Sequence, residues 1–299
     1  SRLSLLKSEF ANSNYLPNQR FDSVDKCEIV VIAVPTPLNS KREPDTTALK
    51  MAISSIKPYL STGTLIVNES TSYPGTLRNL FAARLGDEFE FAAAPERIDP
   101  ANPNWGIRNT PRLVSGLTKK STERAVKFYS SICDEVIEVS SPEVAEAAKL
   151  LENTFRQVNI SLVNEFAQIA EKFGISANET IKAAATKPYG YVPFFPGIGV
   201  GGHCIPVDPS YLSFAVEELG GRTEFINLAN KVNLEMPSYI SQRIANDFGG
   251  KLNNVKVQIA GISYKPNVAD LRESPALFLI AELRKLGAEV IWHDPLVRE

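Results

Sequence analysis

Buried strands and amphipathic helices alternate along the first half of the chain, and this alternation constrains the fold more than any other feature. Apolar runs typical of strands occupy residues 28–34, 64–68, 89–94, 112–114 and 135–139. Helices are predicted at 48–59, 74–85 and 121–132, with Asp45 as a cap of the first. Such alternation indicates a parallel sheet that is covered on both faces. Ligands of these sheets bind beyond the carboxyl ends of the strands, which here carry Thr36, Thr71 and Glu96.

A single long helix is predicted to follow this sheet, over residues 142–173. At 1.5 Å per residue it would span roughly 45 Å, long enough to link two domains and to support a dimer interface. Gly174 fits as its C-terminal stop. Apolar residues recur along it at spacings of three and four: Leu151, Phe155, Val158, Leu162, Phe166 and Ile169.

The remaining pattern predicts a helical segment and a second α/β unit. Helices are expected at 177–185, at 211–219 and at 224–248, the last one broken or bent at Pro237. After Gly249-Gly250, a strand at 256–260, a helix at 275–286 capped by Ser274, and a strand at 289–292 begin another sheet. The prediction is an α/β fold with two Rossmann-like parallel-sheet domains, joined by the long central helix. Its domains are residues 1–140, 141–248 and 249–299.

Composition narrows the possible partners. The net charge of -2 and the lack of a basic run argue against nucleic acid. No apolar run approaches the roughly 20 residues that span a membrane, and no signal peptide is visible. The three cysteines are odd in number and widely scattered, so a disulfide framework is not expected. A reducing cytoplasm is the predicted location.

The segment 195–211 contains the densest cluster of glycines, with a cysteine directly behind it. Its spacing matches the dinucleotide fingerprint G-x-G-x-x-G, which requires a strand before it and a helix after it. Prolines on both sides exclude those elements: Pro193, Pro196, Pro206 and Pro209. The segment is therefore interpreted as an irregular loop that presents Cys204. Function concentrates in such loops, so Cys204 is a candidate nucleophile, whereas Cys27 and Cys133 are expected to be buried apolar residues.

Several polar residues admit two interpretations. Lys149 and Asn153 share one helix face, which fits either a solvated surface or a site that stabilises an oxyanion. Thr71, Glu96 and Asp208 fit either turn chemistry or roles around Cys204. Lys265 and Arg272 flank a predicted helix start, where they fit an anion site or two exposed cations. A metal site is not expected, because His203, Cys204 and Asp208 have no second cluster of ligands.

Six motifs follow one another over nearly the whole chain. They are Val34-Pro-Thr-Pro, Glu69-Ser-Thr-Ser-Tyr-Pro-Gly-Thr, Ala94-Pro-Glu-Arg, Ala148-Lys-Leu-Leu-Glu-Asn-Thr, residues 196–209 around Cys204, and Tyr264-Lys-Pro with Asp270-Leu-Arg-Glu-Ser-Pro. In this order they resemble the UDP-glucose/GDP-mannose dehydrogenase family. Within that family, three segments look most similar to the bacterial UDP-N-acetylglucosamine 6-dehydrogenase branch: residues 42–45, 70–76 and 193–197.

The resemblance implies an NAD-dependent oxidation of a UDP-sugar C6 alcohol to a carboxylate, for surface polysaccharide precursors. It makes Cys204 the nucleophile that captures an aldehyde and then forms a thioester. By the same resemblance, Lys149 and Asn153 contact the substrate and stabilise oxyanions, and Asp208, Thr71 and Glu96 position or activate water. The implied cofactor-binding residues are Thr36, Thr71, Glu96 and Arg272, and Gly201 and Lys265 are implied to bind the nucleotide sugar. A homodimer or higher homo-oligomer is also expected.

Two departures from the family pattern limit these expectations. Residues 1–27 lack the Gly-rich turn of a dinucleotide domain, and the last unit stops after one β-α-β. Both terminal domains are therefore expected to be truncated, and the chain is expected to bind NAD weakly, as a fragment of an active enzyme. Two alternatives stay open: a cysteine hydrolase or acyltransferase without a redox step, and an inactive fragment that only dimerises. The sugar itself (glucose, N-acetylglucosamine or N-acetylmannosamine) is not determined.

Overall fold

The computed structural model describes residues 16–99, 102–202 and 205–297. Its first part is built on a five-stranded sheet whose spatial order follows the chain. The strands are β1 Ile29–Ile32, β2 Leu65–Asn68, β3 Glu90–Ala93, β4 Arg112–Gly116 and β5 Val136–Glu138. Strands β1, β2 and β3 pair in parallel, so their carboxyl ends lie at one edge as predicted.

The pairing of β3 with β4 is antiparallel, which corrects the expectation of a uniformly parallel sheet. Parallel neighbours need a crossover connection, usually a helix. The described residues between β3 and β4, which are 94–99 and 102–111, contain no helix. The chain can therefore return in the opposite direction, and β5 then pairs in parallel with β4.

Helices cover both faces of this sheet. They are α1 Thr47–Ile56, which continues as a 3₁₀ turn over Lys57–Tyr59, α2, which joins a π-helical Leu77–Ala82 to Ala83–Leu85, and α3 Lys119–Tyr129. Ile66 of β2 packs with α1 and α2, whereas Leu65 and Val67 pack with α3. The cap of α1 differs from the prediction: Thr46 occupies the N-cap, and Asp45 accepts the backbone N–H of Thr47 at 2.9 Å.

Helix α4 spans Pro142–Phe173, as predicted, and Gly174 ends it in the left-handed conformation with φ 66°. The burial of its faces differs from that of a simple amphipathic helix, because polar and apolar residues are buried side by side. Its polar side is turned into the protein, since Glu146, Lys149 and Gln157 are buried. Much of the apolar stripe is exposed instead: Leu151, Phe155, Leu162 and Ile169. The face of Lys149 is therefore not a solvated surface.

The rest of the chain adds four helices and a two-stranded parallel sheet among the described residues: α5 Ala177–Ala184, α6 Asp208–Glu218, α7 Glu224–Asn246, α8 Pro275–Lys285, β6 Lys256–Ala260 and β7 Glu289–His293. Ser274 occupies the N-cap of α8, but its hydroxyl donates to the carbonyl of Ile262 at 2.7 Å rather than capping the helix.

Helix α7 continues through Pro237, so the predicted break is wrong, and the alternative of a bend stays a prediction. Proline removes the helical hydrogen bond to the carbonyl four residues earlier, which is that of Asn233. The side chain of Asn233 ties this part of α7 to α4, since it accepts from Asn164 Nδ2 at 2.9 Å and donates to the carbonyl of Gln157 at 3.2 Å.

Two of the cysteines lie among the described residues. Cys133 is buried as expected, but Cys27 is exposed, because it lies in the segment between a 3₁₀ turn and β1 rather than in the sheet.

Among the described residues, no helix combines the length and the hydropathy that crossing a membrane would require.

Candidate active site

Three residues predicted from the sequence lie together where α4 meets α6. Lys149 and Asn153 come from α4, and Asp208 is the first residue of α6. Asn153 Nδ2 donates to Asp208 Oδ2 at 2.6 Å. Lys149 is only 7% exposed and Asp208 only 1%. The site is therefore a buried cluster of one cation, one amide and one carboxyl group.

Burial controls the charge of Asp208. Loss of solvent raises the pKa of this carboxyl group to about 6, while the nearby Lys149 cation and the hydrogen bond from Asn153 act in the opposite direction. A carboxyl group with a pKa near neutrality can both accept and release a proton under ordinary conditions.

The loop after β1, which carries Thr36, is held against α6. Tyr211 Oη of α6 donates to the carbonyl of Pro37 at 3.3 Å and also interacts with the Thr36 side chain. Arg42 Nη2 donates to the carbonyl of Pro206 at 3.3 Å, just before α6. The half-buried Thr36 thus lies beside the helix that begins with Asp208.

The loop after β2, which carries the half-buried Thr71, is held by a residue that the sequence analysis missed. Glu146 of α4 accepts from Gly75 N at 2.7 Å, Leu77 N at 3.0 Å and Ser72 Oγ at 3.1 Å. Burial raises its pKa to about 7, and these three hydrogen bonds act in the opposite direction. Its position one helical turn before Lys149 was the available signal, because residues three apart share a face.

The loop after β3 also contacts α4. The carboxyl group of Glu96 accepts the backbone N–H of Ile98, and the Glu96 amide donates to the carbonyl of Glu69 at 3.2 Å. Arg97 forms an ion pair with Glu152 of α4 at 2.5 Å. All three strand-end loops predicted from the sequence are therefore fixed against α4 or α6.

The described residues 195–202, which we call the glycine loop, pack against α7 and the start of the second α/β unit. A Cβ on Gly199 would lie 2.8 Å from the carbonyl oxygen of Asn233, which is the carbonyl that Pro237 leaves without its helical partner. A Cβ on Gly201 would meet Pro275 at 2.7 Å, and one on Gly202 would meet the Tyr264 ring at 2.6 Å. Close backbone approach thus explains glycine at these positions. His203 and Cys204 lie outside the described residues.

The two basic residues of the last unit that were predicted as site residues, Lys265 and Arg272, both contact carboxylates. Lys265 forms an ion pair with Asp99, which lies beyond β3. Arg272 Nε donates to both carboxylate oxygens of Asp270, at 2.9 and 3.0 Å, and its carbonyl accepts from Gly202 N at 3.3 Å. Among the described residues, no group of three or more His, Cys, Asp or Glu side chains is arranged to hold a metal ion.

Comparison with known proteins gives matches to three domains in order. The models of the UDP-glucose/GDP-mannose dehydrogenase family match as the NAD-binding domain at residues 3–133, the central domain at 143–235 and the UDP-binding domain at 258–299. The UDP-N-acetyl-D-glucosamine 6-dehydrogenase of Salmonella typhi is 33% identical, over 99% of this chain and 72% of that protein. The chain belongs to this family.

Two other relatives agree with that assignment. The UDP-N-acetyl-D-mannosamine dehydrogenase of Methanocaldococcus jannaschii is 37% identical, over 92% of this chain and 64% of that protein. The structure of a UDP-D-ManNAc dehydrogenase from Pyrococcus horikoshii superposes with a TM-score of 0.89 at 32% identity, covering 98% of this chain and 71% of that one. The chain thus spans between 64% and 72% of the length of these relatives.

Membership of this family confirms two predictions, the cofactor and the class of enzyme. The family's NAD-binding domain is present, so NAD is the cofactor, and the protein is assigned to the oxidoreductases that act on nucleotide sugars. The parallel strands β1 to β3 fit this cofactor, because half-buried Thr36, Thr71 and Glu96 follow their carboxyl ends.

Proposed function

We propose that the protein oxidises the C6 alcohol of a UDP-sugar to a carboxylate in two NAD-dependent steps, through a covalent intermediate on Cys204. The observation that carries the proposal is the buried cluster of Lys149, Asn153 and Asp208. Its carboxyl group lies four residues after Cys204 in the sequence. A cation, an amide donor and a titratable carboxyl group are the groups that acyl chemistry on a thiol requires.

The proposed reaction balances in three stages. The C6 alcohol loses its hydroxyl proton and a hydride from C6 to give the aldehyde. The Cys204 thiol adds to the aldehyde carbon, and its proton passes to the aldehyde oxygen, which gives a thiohemiacetal. Loss of that hydroxyl proton and of the remaining C6 hydrogen as a hydride gives a thioester, which one water molecule hydrolyses to the carboxylate, a proton and the free thiol. Bound NAD⁺ supplies the hydride acceptor for each oxidation. In total, one alcohol, one water and two NAD⁺ give one carboxylate, two NADH and three protons.

Each residue of the cluster has a defined part in this scheme. The Lys149 ammonium and the Asn153 amide donate to the substrate oxygen as negative charge develops on it. Asp208, with its pKa raised to about 6, accepts a proton from the attacking water. Thr71 and Glu96 orient that water and, with Thr36 and Arg272, contact the cofactor. Gly201 and Lys265 are the proposed contacts of the nucleotide sugar.

The proposed substrate is a UDP-N-acetylhexosamine, and the product is a precursor of surface polysaccharide. This choice is supported by the names of the relatives, which are N-acetylglucosamine and N-acetylmannosamine dehydrogenases. It is also supported by the motifs at residues 42–45, 70–76 and 193–197. The two epimers differ at C2, away from the reacting carbon, so both are included in the test.

Counting NADH per sugar tests this proposal. With UDP-N-acetylglucosamine or UDP-N-acetylmannosamine as the limiting reagent, absorbance at 340 nm should report two NADH for each sugar consumed. Cys204→Ser should stop uronate formation, while Cys27→Ser, at an exposed cysteine before the start of β1, should leave it unchanged. Turnover without NADH would support the hydrolase alternative, and no turnover by the native chain would reject the proposal for this chain.

We also propose that the protein is a homodimer that forms through α4, in the cytoplasm. The apolar stripe of α4 supports this assembly, because Leu151, Phe155 and Leu162 are exposed along one side of the helix. Exposed apolar side chains in such a continuous row are typical of protein interfaces rather than of a free surface. The cytoplasmic location follows from the cysteine pattern and stays a prediction.

A further inference from the structure

We propose that Glu146 is a positioning residue: its carboxylate sets the loop that carries Thr71 against the face of α4 that carries Lys149. This inference rests on the proposed function and adds to it a residue outside the reacting cluster. Glu146 is only 2% exposed. It is a buried acidic residue to which the oxidation scheme assigns no step.

The contacts of Glu146 replace a missing helix cap. Helix α2 begins without a capping side chain, because Thr76 at its N-cap makes no such hydrogen bond. Glu146 supplies the acceptor from a distant helix by binding the amides of Gly75 and Leu77. A carboxylate is stabilised there, since the first amides of a helix are unsatisfied and its N-terminus carries partial positive charge.

Hydrogen bonds continue from Glu146 to both neighbours of Thr71. Ser72 Oγ donates to Glu146 at 3.1 Å and accepts from Asn68 Nδ2 at 3.0 Å. Asn68 Oδ1 in turn accepts the backbone N–H of Ser70 at 3.1 Å. The residues before and after Thr71 are therefore tied into one network that ends on α4.

The same network reaches the loop that carries Thr36. Ser70 Oγ accepts the backbone N–H of Val34 at 2.8 Å and donates to the carbonyl of Ile32 at 3.4 Å. Val34 lies two residues before Thr36. Both strand-end threonines thus depend on contacts that lead back to Glu146.

Helix α4 carries Glu146, the anchor of the loop with Thr71, and the proposed oxyanion-binding cation Lys149 on one face. Glu146 and Lys149 are three residues apart and both are buried, so they occupy successive turns of the same side. Loss of the anchor would change the distance between Thr71 and Lys149 without removing either side chain. Misplacement by about 1 Å can cost about 100-fold in rate, so a change in the distance between Thr71 and Lys149 should lower kcat.

The variant Glu146→Gln tests the proposal with little change in volume. Glutamine keeps one acceptor oxygen but places its NH₂ group, a donor, beside the backbone N–H donors of Gly75 and Leu77. We therefore expect the loop to shift and kcat to fall about 10- to 100-fold. Because the proposed sugar contacts, Gly201 and Lys265, are untouched, the Kd for UDP-N-acetylglucosamine by calorimetry should change by less than about twofold. The matched control is Glu143→Gln, since Glu143 binds Arg78 of α2 from the same helix at the surface. It should leave kcat unchanged.

A double-mutant cycle separates positioning from simple loss of structure. If Glu146 acts through Thr71, then Glu146→Gln should cost little in a Thr71→Ala background. If Glu146→Gln folds poorly, Ser72→Ala replaces it in the cycle with Thr71→Ala, because Ser72→Ala removes the hydrogen bond from Ser72 to Glu146. Rate losses that multiply in both double variants would overturn the proposal.

Hydrogen exchange distinguishes this inference from the proposed function. If the native protein forms no NADH, the oxidation proposal fails, and the anchor is judged by the amide exchange of Gly75 and Leu77. Glu146→Gln should speed that exchange at least about tenfold, and Glu143→Gln should not. Unchanged exchange in Glu146→Gln would overturn the inference whatever the activity.

Discussion

At the residue scale, the cluster around Asp208 shows how burial and one neighbouring cation set the chemistry of a carboxyl group. Because burial raises the pKa of Asp208 to about 6, we predict an acidic limb in the pH profile of kcat/KM with an apparent pKa near that value. Activity should fall as the pH drops through this range, since protonated Asp208 cannot accept a proton. Initial rates of NADH formation between pH 5 and 9 would measure the limb.

Lys149→Met should move that limb in a defined direction. The Lys149 cation lowers the pKa of Asp208, so its removal should raise this pKa and shift the limb to higher pH, in addition to reducing kcat. Lys172→Met is the matched control, because Lys172 is an exposed lysine in the last turn of the same helix. An unshifted limb in Lys149→Met would contradict the electrostatic coupling between these two residues.

The side of α4 that carries Lys149 shows that residue spacing alone does not predict burial. Spacing placed Lys149 and Asn153 on one side of a helix, but a solvated face and a buried site have the same spacing. The structure decides between them, because α6 and the strand-end loops cover this side of α4. Glu146 was missed for the same reason, since its partners lie about 70 positions earlier in the chain.

At the scale of elements, the glycine loop depends on backbone dihedral angles that residues other than glycine rarely adopt. Gly199 has φ 123°, and a Cβ there would lie 2.8 Å from the carbonyl oxygen of Asn233. We predict that Gly199→Ala lowers the free energy of unfolding by about 1–3 kcal/mol, because of backbone strain and the close contact of the added Cβ with this oxygen. Urea denaturation followed by circular dichroism would measure the change.

Gly197→Ala is the control within the same loop. A Cβ at Gly197 meets nothing within 4 Å, so its free energy of unfolding should stay within about 0.5 kcal/mol of the native value. If the two alanine variants were equally stable, the packing of Gly199 against α7 would not be the reason for glycine at that position.

At the scale of the whole molecule, the exposed stripe of α4 predicts self-association. Leu151→Glu places a charge in the proposed dimer interface, and we expect it to convert the dimer to a monomer at micromolar concentration. Met51→Glu is a matched control, since Met51 on α1 and Leu151 are both 64% exposed. Sedimentation velocity would report the mass. A native chain that sediments as a monomer would contradict the dimer proposal.

Most elements of the fold could be predicted from the sequence, because strand and helix periodicity are local properties. The bounds of α4 and β6 are those predicted. Features that depend on contacts between distant parts of the chain were harder to predict from the sequence. The antiparallel pairing of β3 with β4 and the continuity of α7 through Pro237 do not follow from periodicity along the chain.

The amino-acid sequence was sufficient to indicate the class of the protein and the chemical types of its candidate groups. The order of six motifs indicated a nucleotide-sugar dehydrogenase family, and the prolines around the glycine loop excluded a dinucleotide turn there. The three-dimensional structure was needed to show which polar groups are buried together and how burial changes their proton affinities. Burial and pKa depend on neighbours in space, as Asp208 and Glu146 show, and spacing along one helix or loop carries no information about those neighbours.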